Sequence, residues 1–106
     1  MFRYDLHCHT AEGSKCSKLA AKDIPHYYKS LGYDGFFVTD HFEGNTTVPQ
    51  GTPWRERIEL FYHNGYEIAK AEGDKIGIKV FFAPEESLRC NDFLLLGLSK
   101  EWWLAQ

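Results

Sequence analysis

The chain has 106 residues, 43% of them hydrophobic and 16% aromatic, with a formal net charge of -3. That is enough for one domain with one core, and too acidic for a broad nucleic-acid surface, although narrow binding of a phosphate group stays compatible. No run of about 18 apolar residues offers a membrane span, and the N-terminus, with Arg3 and Asp5 in its first apolar stretch, lacks the core of a signal peptide.

The first element expected is a buried strand over Phe2–Leu6. It runs into Asp5-Leu6-His7-Cys8-His9, where strand alternation places His7 and His9 on one side and turns Cys8 away as small packing. A polar loop follows over His9–Lys18. A helix is expected from about Asp23 to Leu31, with Asp23 as cap, Pro25 in the first turn and Gly32 just past the end. Gly35–Asp40 reads as a second buried strand and Phe42–Thr52 as a loop rich in Gly, Asn, Thr and Pro.

Thr52-Pro53 opens a longer helix, with Thr as cap and Pro at the first position. Trp54, Ile58, Phe61, Gly65, Ile68 and Glu72 recur at spacings of four, three, four, three and four, and Gly73 is expected to close the helix. Gly77–Ala83 reads as a third strand and Asp92–Leu98 as a fourth, antiparallel to the third because the link between them is short. The order β-α-β-α-β-β predicts an α/β fold with a mostly parallel sheet, right-handed crossovers and helices outside.

Three polar clusters then fall at the C-terminal ends of successive strands, where ligands bind in such sheets: His7/His9, Asp40/His41 and Glu85/Glu86. Imidazoles and carboxylates in that position suit a divalent-metal site. Only one of Glu85 and Glu86 can face it, because side chains alternate along a strand. Asp40 is a candidate to orient a ligating imidazole, or equally a turn residue. His26 and His63 sit on helix faces away from the strand ends. Cys16 is within reach of the site, but a lone cysteine without partner spacing is weak ground for a ligand. The cysteines are Cys8, Cys16 and Cys90, an odd number with no disulfide framework, which points to a reducing cytoplasm. Trp102-Trp103 read as cover for apolar surface or as a contact with another chain.

Taken together, Asp5-Leu6-His7-Cys8-His9-Thr10, Gly32-Tyr33-Asp34-Gly35 through Thr39-Asp40-His41, and Phe81-Phe82-Ala83-Pro84-Glu85 resemble the PHP family, named for polymerase and histidinol phosphatase. The resemblance implies a partial, distorted (β/α) barrel of PHP type as a single domain over 1–106, and a histidinol-phosphatase-like, metal-dependent phosphoesterase. It implies His7, His9, His41 and Glu85 as ligands of a pair of divalent ions (zinc, manganese or iron), with Asp5 and Asp40 orienting them. Glu85 is favoured over Glu86 because Ala83 fits the small residue that family members carry two positions earlier. A metal-activated water would attack phosphorus in a small phosphorylated substrate.

Two features depart from the family. Where many members carry a further Asp or His ligand, this chain reads Ser14-Lys15-Cys16, which argues against a third ion. The family's later motifs are absent, so the match covers its N-terminal half. That predicts an open sheet edge and an uncovered apolar face: an excised fragment, a truncated product, or a chain that associates with itself. The alternative to an enzyme is a non-catalytic metal-binding or interaction module.

Overall fold

The computed structural model of the chain describes residues 2–42, 44–88 and 91–106, so Cys90 lies outside the described residues. Strands β1 (Tyr4–Cys8), β2 (Gly35–Val38) and β3 (Lys79–Phe82) form a parallel sheet in the order β1-β2-β3. Helix α1 (Ile24–Ser30) makes the first crossover. The second is a continuous helix built from α2 (Trp54–Phe61), a π-helical segment (Tyr62–Glu67) and α3 (Ile68–Ile76). The fold is thus mixed α/β with a small parallel sheet, as expected.

The first strand lies two residues later than the sequence pattern suggested, and it is not regular. Asp5 pairs with Phe36 but Cys8 pairs with Val38, so β1 carries one extra residue between them. Such a bulge re-aims the side chains that follow it. Beyond it Cys8 faces the core, 8% exposed, while His7 faces outward.

The final antiparallel pairing differs from expectation. The partner of β5 (Asn91–Leu94) is not β3 but β4 (Glu85–Leu88), a strand in the segment taken for a link. The cause is a ladder that outlasts β3. The Ala83 N–H donates to the Val38 carbonyl and the Glu85 N–H to the Asp40 carbonyl, both at 3.0 Å. Pro84, with no N–H, sits between these two donors and costs the ladder nothing.

Both ends of the long helix also differ from expectation, whereas the start of α1 agrees. Gly73 stays inside α3, because a Cβ there would lie 2.7 Å from Val80 Cγ2 and 2.9 Å from the Ile78 carbonyl; it is glycine so that the helix can sit on the strand. The stop is Gly77, at φ +80° in the left-handed conformation that glycine adopts without penalty. Pro53 is the N-cap of α2, and the Thr52 hydroxyl donates to the Pro49 carbonyl at 2.6 Å, closing the preceding turn. Asp23 occupies the N-cap of α1 without a side-chain cap bond.

Two apolar clusters hold these pieces. One joins Cys8, Tyr28, Phe36, Val38, Ala69 and Val80 between the sheet and helices α1 and α3. The other gathers Phe42, Val48, Ile58, Phe61 and Tyr62 around Trp103 of α4 (Lys100–Leu104). Trp103 therefore covers apolar surface, while Trp102 is exposed. On the sheet's other face Phe37 stacks on Phe81, and Tyr4 meets its edge. Tyr4, Leu6 and Phe81 are exposed there. No helix of the described residues is long and apolar enough to cross a membrane.

Candidate metal centre

Backbone pairing brings the three polar clusters together. His7 lies within the bulge near the end of β1, and His9 follows just past the strand. His41 lies just past β2 and is a parallel bridge partner of Glu85. The Glu85 side chain, 3% exposed, turns into the space between them. Its Oε1 stands 2.5 Å from His7 Nε2 and 3.1 Å from His9 Nε2, and its Oε2 is 3.2 Å from His41 Nδ1. The ring nitrogens of His7 and His9 are 3.2 Å apart. The expected ligands His7, His9, His41 and Glu85 thus form one cluster.

The donors fit a divalent cation. Burying a carboxylate is costly unless a positive charge compensates it. The described ion-pair partners of Glu85 are three imidazoles, with no lysine or arginine among them. Nitrogen and oxygen donors in this mix suit zinc, iron or manganese. Metal–ligand bonds of about 2.1 Å place the ligands of one tetrahedral ion roughly 3.4 Å apart; the His9–Glu85, His41–Glu85 and His7–His9 separations of 3.1, 3.2 and 3.2 Å are close to this, while His7 and Glu85 stand at the hydrogen-bond distance of 2.5 Å.

The two flanking aspartates act on the backbone that carries the imidazoles, not on the rings. Asp5 Oδ1 accepts from the His7 N–H at 3.0 Å and Oδ2 from the Tyr28 hydroxyl at 2.5 Å. Asp40, 2% exposed, accepts from the Thr10 N–H and hydroxyl at 2.7 Å and from the Ser14 hydroxyl at 2.8 Å. The Ser14 oxygen accepts in turn from the His41 N–H at 2.9 Å. One carboxylate therefore ties down both chain segments that follow His9 and precede His41. Burial pushes its pKa up, and the three hydrogen bonds oppose that rise.

Room for Asp40 comes from two glycines. A Cβ at Gly13 or Gly65 would collide with the Asp40 carboxylate, and one at Gly65 would also stand 2.5 Å from Thr10 Oγ1. Gly65 lies in the π-helical segment, a kind of widened turn that recurs at functional sites. The periodicity of the helix marks position 65 as facing inward, but not that it closes over a carboxylate.

Cys16 lies beside the cluster, within reach of it as expected. Its Sγ lies 3.3 Å from His9 Nδ1, on the imidazole edge opposite the one facing Glu85. Its only signal in the sequence is a position one loop beyond the histidine pair. Cys8 packs into the core as expected, and burial raises its thiol pKa to about 11. His26 pairs with Glu72 at 2.8 Å on the surface, His63 is exposed, and neither joins the cluster.

The loops around the centre also shape a cavity of about 320 Å³ lined by Lys15, Gly44, Thr46, Val48, Gln50 and Arg57. Its walls are linked where Ser14 pairs with Thr46 and where the Lys15 N–H donates to the Asn45 carbonyl at 2.6 Å. Among the described lining residues, Lys15 and Arg57 are cationic.

No protein-family model, curated protein or solved structure matches the chain.

Proposed function

We propose that the chain is a metal-dependent hydrolase of phosphate esters of the PHP type, acting on a small phosphorylated substrate. The observation that carries this reading is the convergence of His7, His9 and His41 on the buried Glu85 carboxylate at the C-terminal ends of parallel strands. Those four side chains would hold a pair of divalent ions (zinc, manganese or iron). Such ions, when bound, supply Lewis acidity that activates water near neutral pH and offsets charge on a phosphate.

The remaining work falls to the chain's own groups. Glu85 supplies negative charge from a buried position, and Asp5 and Asp40 hold the backbone of His7 and His41 in place, the latter through Ser14. Lys15 and Arg57, among the described residues lining the neighbouring cavity, are groups of the kind that meet a phosphate oxyanion. A cytoplasmic setting agrees with the unpaired thiols of Cys8 and Cys16. The exposed aromatic face around Phe81 offers a surface for self-association, which the mass in solution would reveal.

The test is metal analysis of the purified protein together with hydrolysis of p-nitrophenyl phosphate. The expected result is bound divalent metal and turnover that is lost with a chelator and in Glu85→Gln. A chain that binds no metal at neutral pH would overturn the reading. Bound metal without turnover would leave the non-catalytic metal-binding module.

A further inference from the structure

We infer that Cys16 is a thiolate metal ligand. With His9 and His41 it forms a second subsite beside the His7–His9–Glu85 group, and this subsite takes a thiophilic ion such as zinc in preference to manganese or magnesium. The inference deepens the metal-dependent reading above and rests on its taking the cluster as a metal centre.

Three features carry it. First, His9, Cys16 and His41 each offer a donor atom, all within 4.8 Å of one another, and the same holds for His7, His9 and Glu85. Second, His9 stands between the two groups. Its Nε2 faces His7 and Glu85, while its Nδ1 faces Cys16 Sγ at 3.3 Å. His41 lines the same wall, its ring 4.4 Å from that of His9 between centroids. Third, the cysteine is held where it is. The Ser17 hydroxyl donates to the His9 carbonyl at 3.0 Å, and Ser14 on the other side is fixed by Asp40. The loop therefore folds back over His9 and does not trail into solvent.

Donor chemistry gives the metal preference. Thiolate with imidazole is a zinc-type donor set, whereas magnesium and manganese favour carboxylate, carbonyl and water oxygens. With Zn–S of about 2.3 Å and Zn–N of about 2.1 Å, a sulfur and a nitrogen on one tetrahedral ion stand roughly 3.6 Å apart, near the observed separation. Loading the subsite releases the Cys16 proton to solvent.

Cobalt(II) titration of the reduced protein tests this without reference to activity. The wild type should show d–d absorption together with a near-ultraviolet thiolate-to-cobalt charge-transfer band. Cys16→Ser, at an exposed position and so compatible with the fold, should lose that band, keep d–d absorption and bind one ion fewer. His7→Ala should keep the band. Cobalt bound with no thiolate band, or a band unchanged in Cys16→Ser, would overturn the assignment of Cys16 while leaving the hydrolase reading intact. No cobalt bound at all would overturn both.

Discussion

Glu85 and His41 face each other across the parallel ladder, and their side chains meet at 3.2 Å. The Glu85 N–H donates to the Asp40 carbonyl, and the Phe42 N–H to the Glu85 carbonyl, both at 3.0 Å, so His41 sits between two backbone clamps. The distance between these two ligand candidates is thereby set by strand pairing and not by side-chain rotamers alone. A preorganised pair of this kind loses little entropy on taking up an ion.

Glu85→Gln keeps the shape of the side chain and removes its charge. Loss of an outer-shell partner alone costs a metal site about 10- to 100-fold in affinity, so removing this carboxylate should weaken zinc binding by at least about 100-fold. The metal-free variant should melt no lower than the wild type, because a buried charge becomes a neutral amide. Competition titration and calorimetry check the two halves; unchanged affinity would remove Glu85 from the ligand set.

Gly65→Ala should destabilise the fold by about 1–3 kcal/mol, the usual cost of overpacking. The added methyl meets Asp40 and Thr10, neither of which can withdraw without breaking the bonds that hold the histidine loop. Urea denaturation measures the effect, and a loss under about 0.5 kcal/mol, the range of ordinary surface substitutions, would mean that the helix does not close on Asp40.

The two described thiols should differ in reactivity. Cys8 is buried with its pKa raised to about 11, and Cys16 is exposed. Iodoacetamide at pH 8, read by peptide mass, should modify Cys16 of the metal-free protein well before Cys8. Zinc should slow the reaction at Cys16 and leave Cys8 as it was. Equal rates at the two positions would contradict the packing of β1.

The His26–Glu72 pair makes a prediction about acid. The hydrogen bond from His26 holds the Glu72 carboxyl below its usual range. A lowered carboxyl pKa contributes stability above the ordinary carboxylate range and loses it as pH falls through the lowered value. The stability advantage of wild type over His26→Ala should therefore shrink as pH drops below about 4. Urea titrations at a series of pH values would show it; an advantage that grows in acid would exclude the pair as its source.

Much of the centre was legible in the amino-acid order because it depends on local patterns. An apolar run ending in His-x-His, a second ending in Asp-His and a third ending near Glu85 each place their polar groups at a strand's carboxyl end. Parallel crossovers then bring those ends together. The contact of Cys16 with His9 was not legible, because a loop's path depends on the bonds that Asp40 and Ser17 make across the fold, and those partners are distant in sequence or invisible as a pattern. The same holds for β4. Its strand character comes from pairing beyond Pro84, in a stretch whose polar residues alone read as a link.

By itself, then, the sequence determined the chemical set and the end of the sheet it occupies: two imidazoles two residues apart, a third after β2, and a carboxylate after β3. Only the tertiary structure decided the faces and the neighbours. The bulge between Asp5 and Cys8 lets Asp5 reach Tyr28 of the core while His7, two residues on, faces outward. Two glycines far apart in the chain make space for one buried aspartate. The physical reason is that strand parity and ligand type are properties of a few adjacent residues, whereas a bulge, a close approach or a loop closure is settled by the competition among all the surfaces that must pack at once.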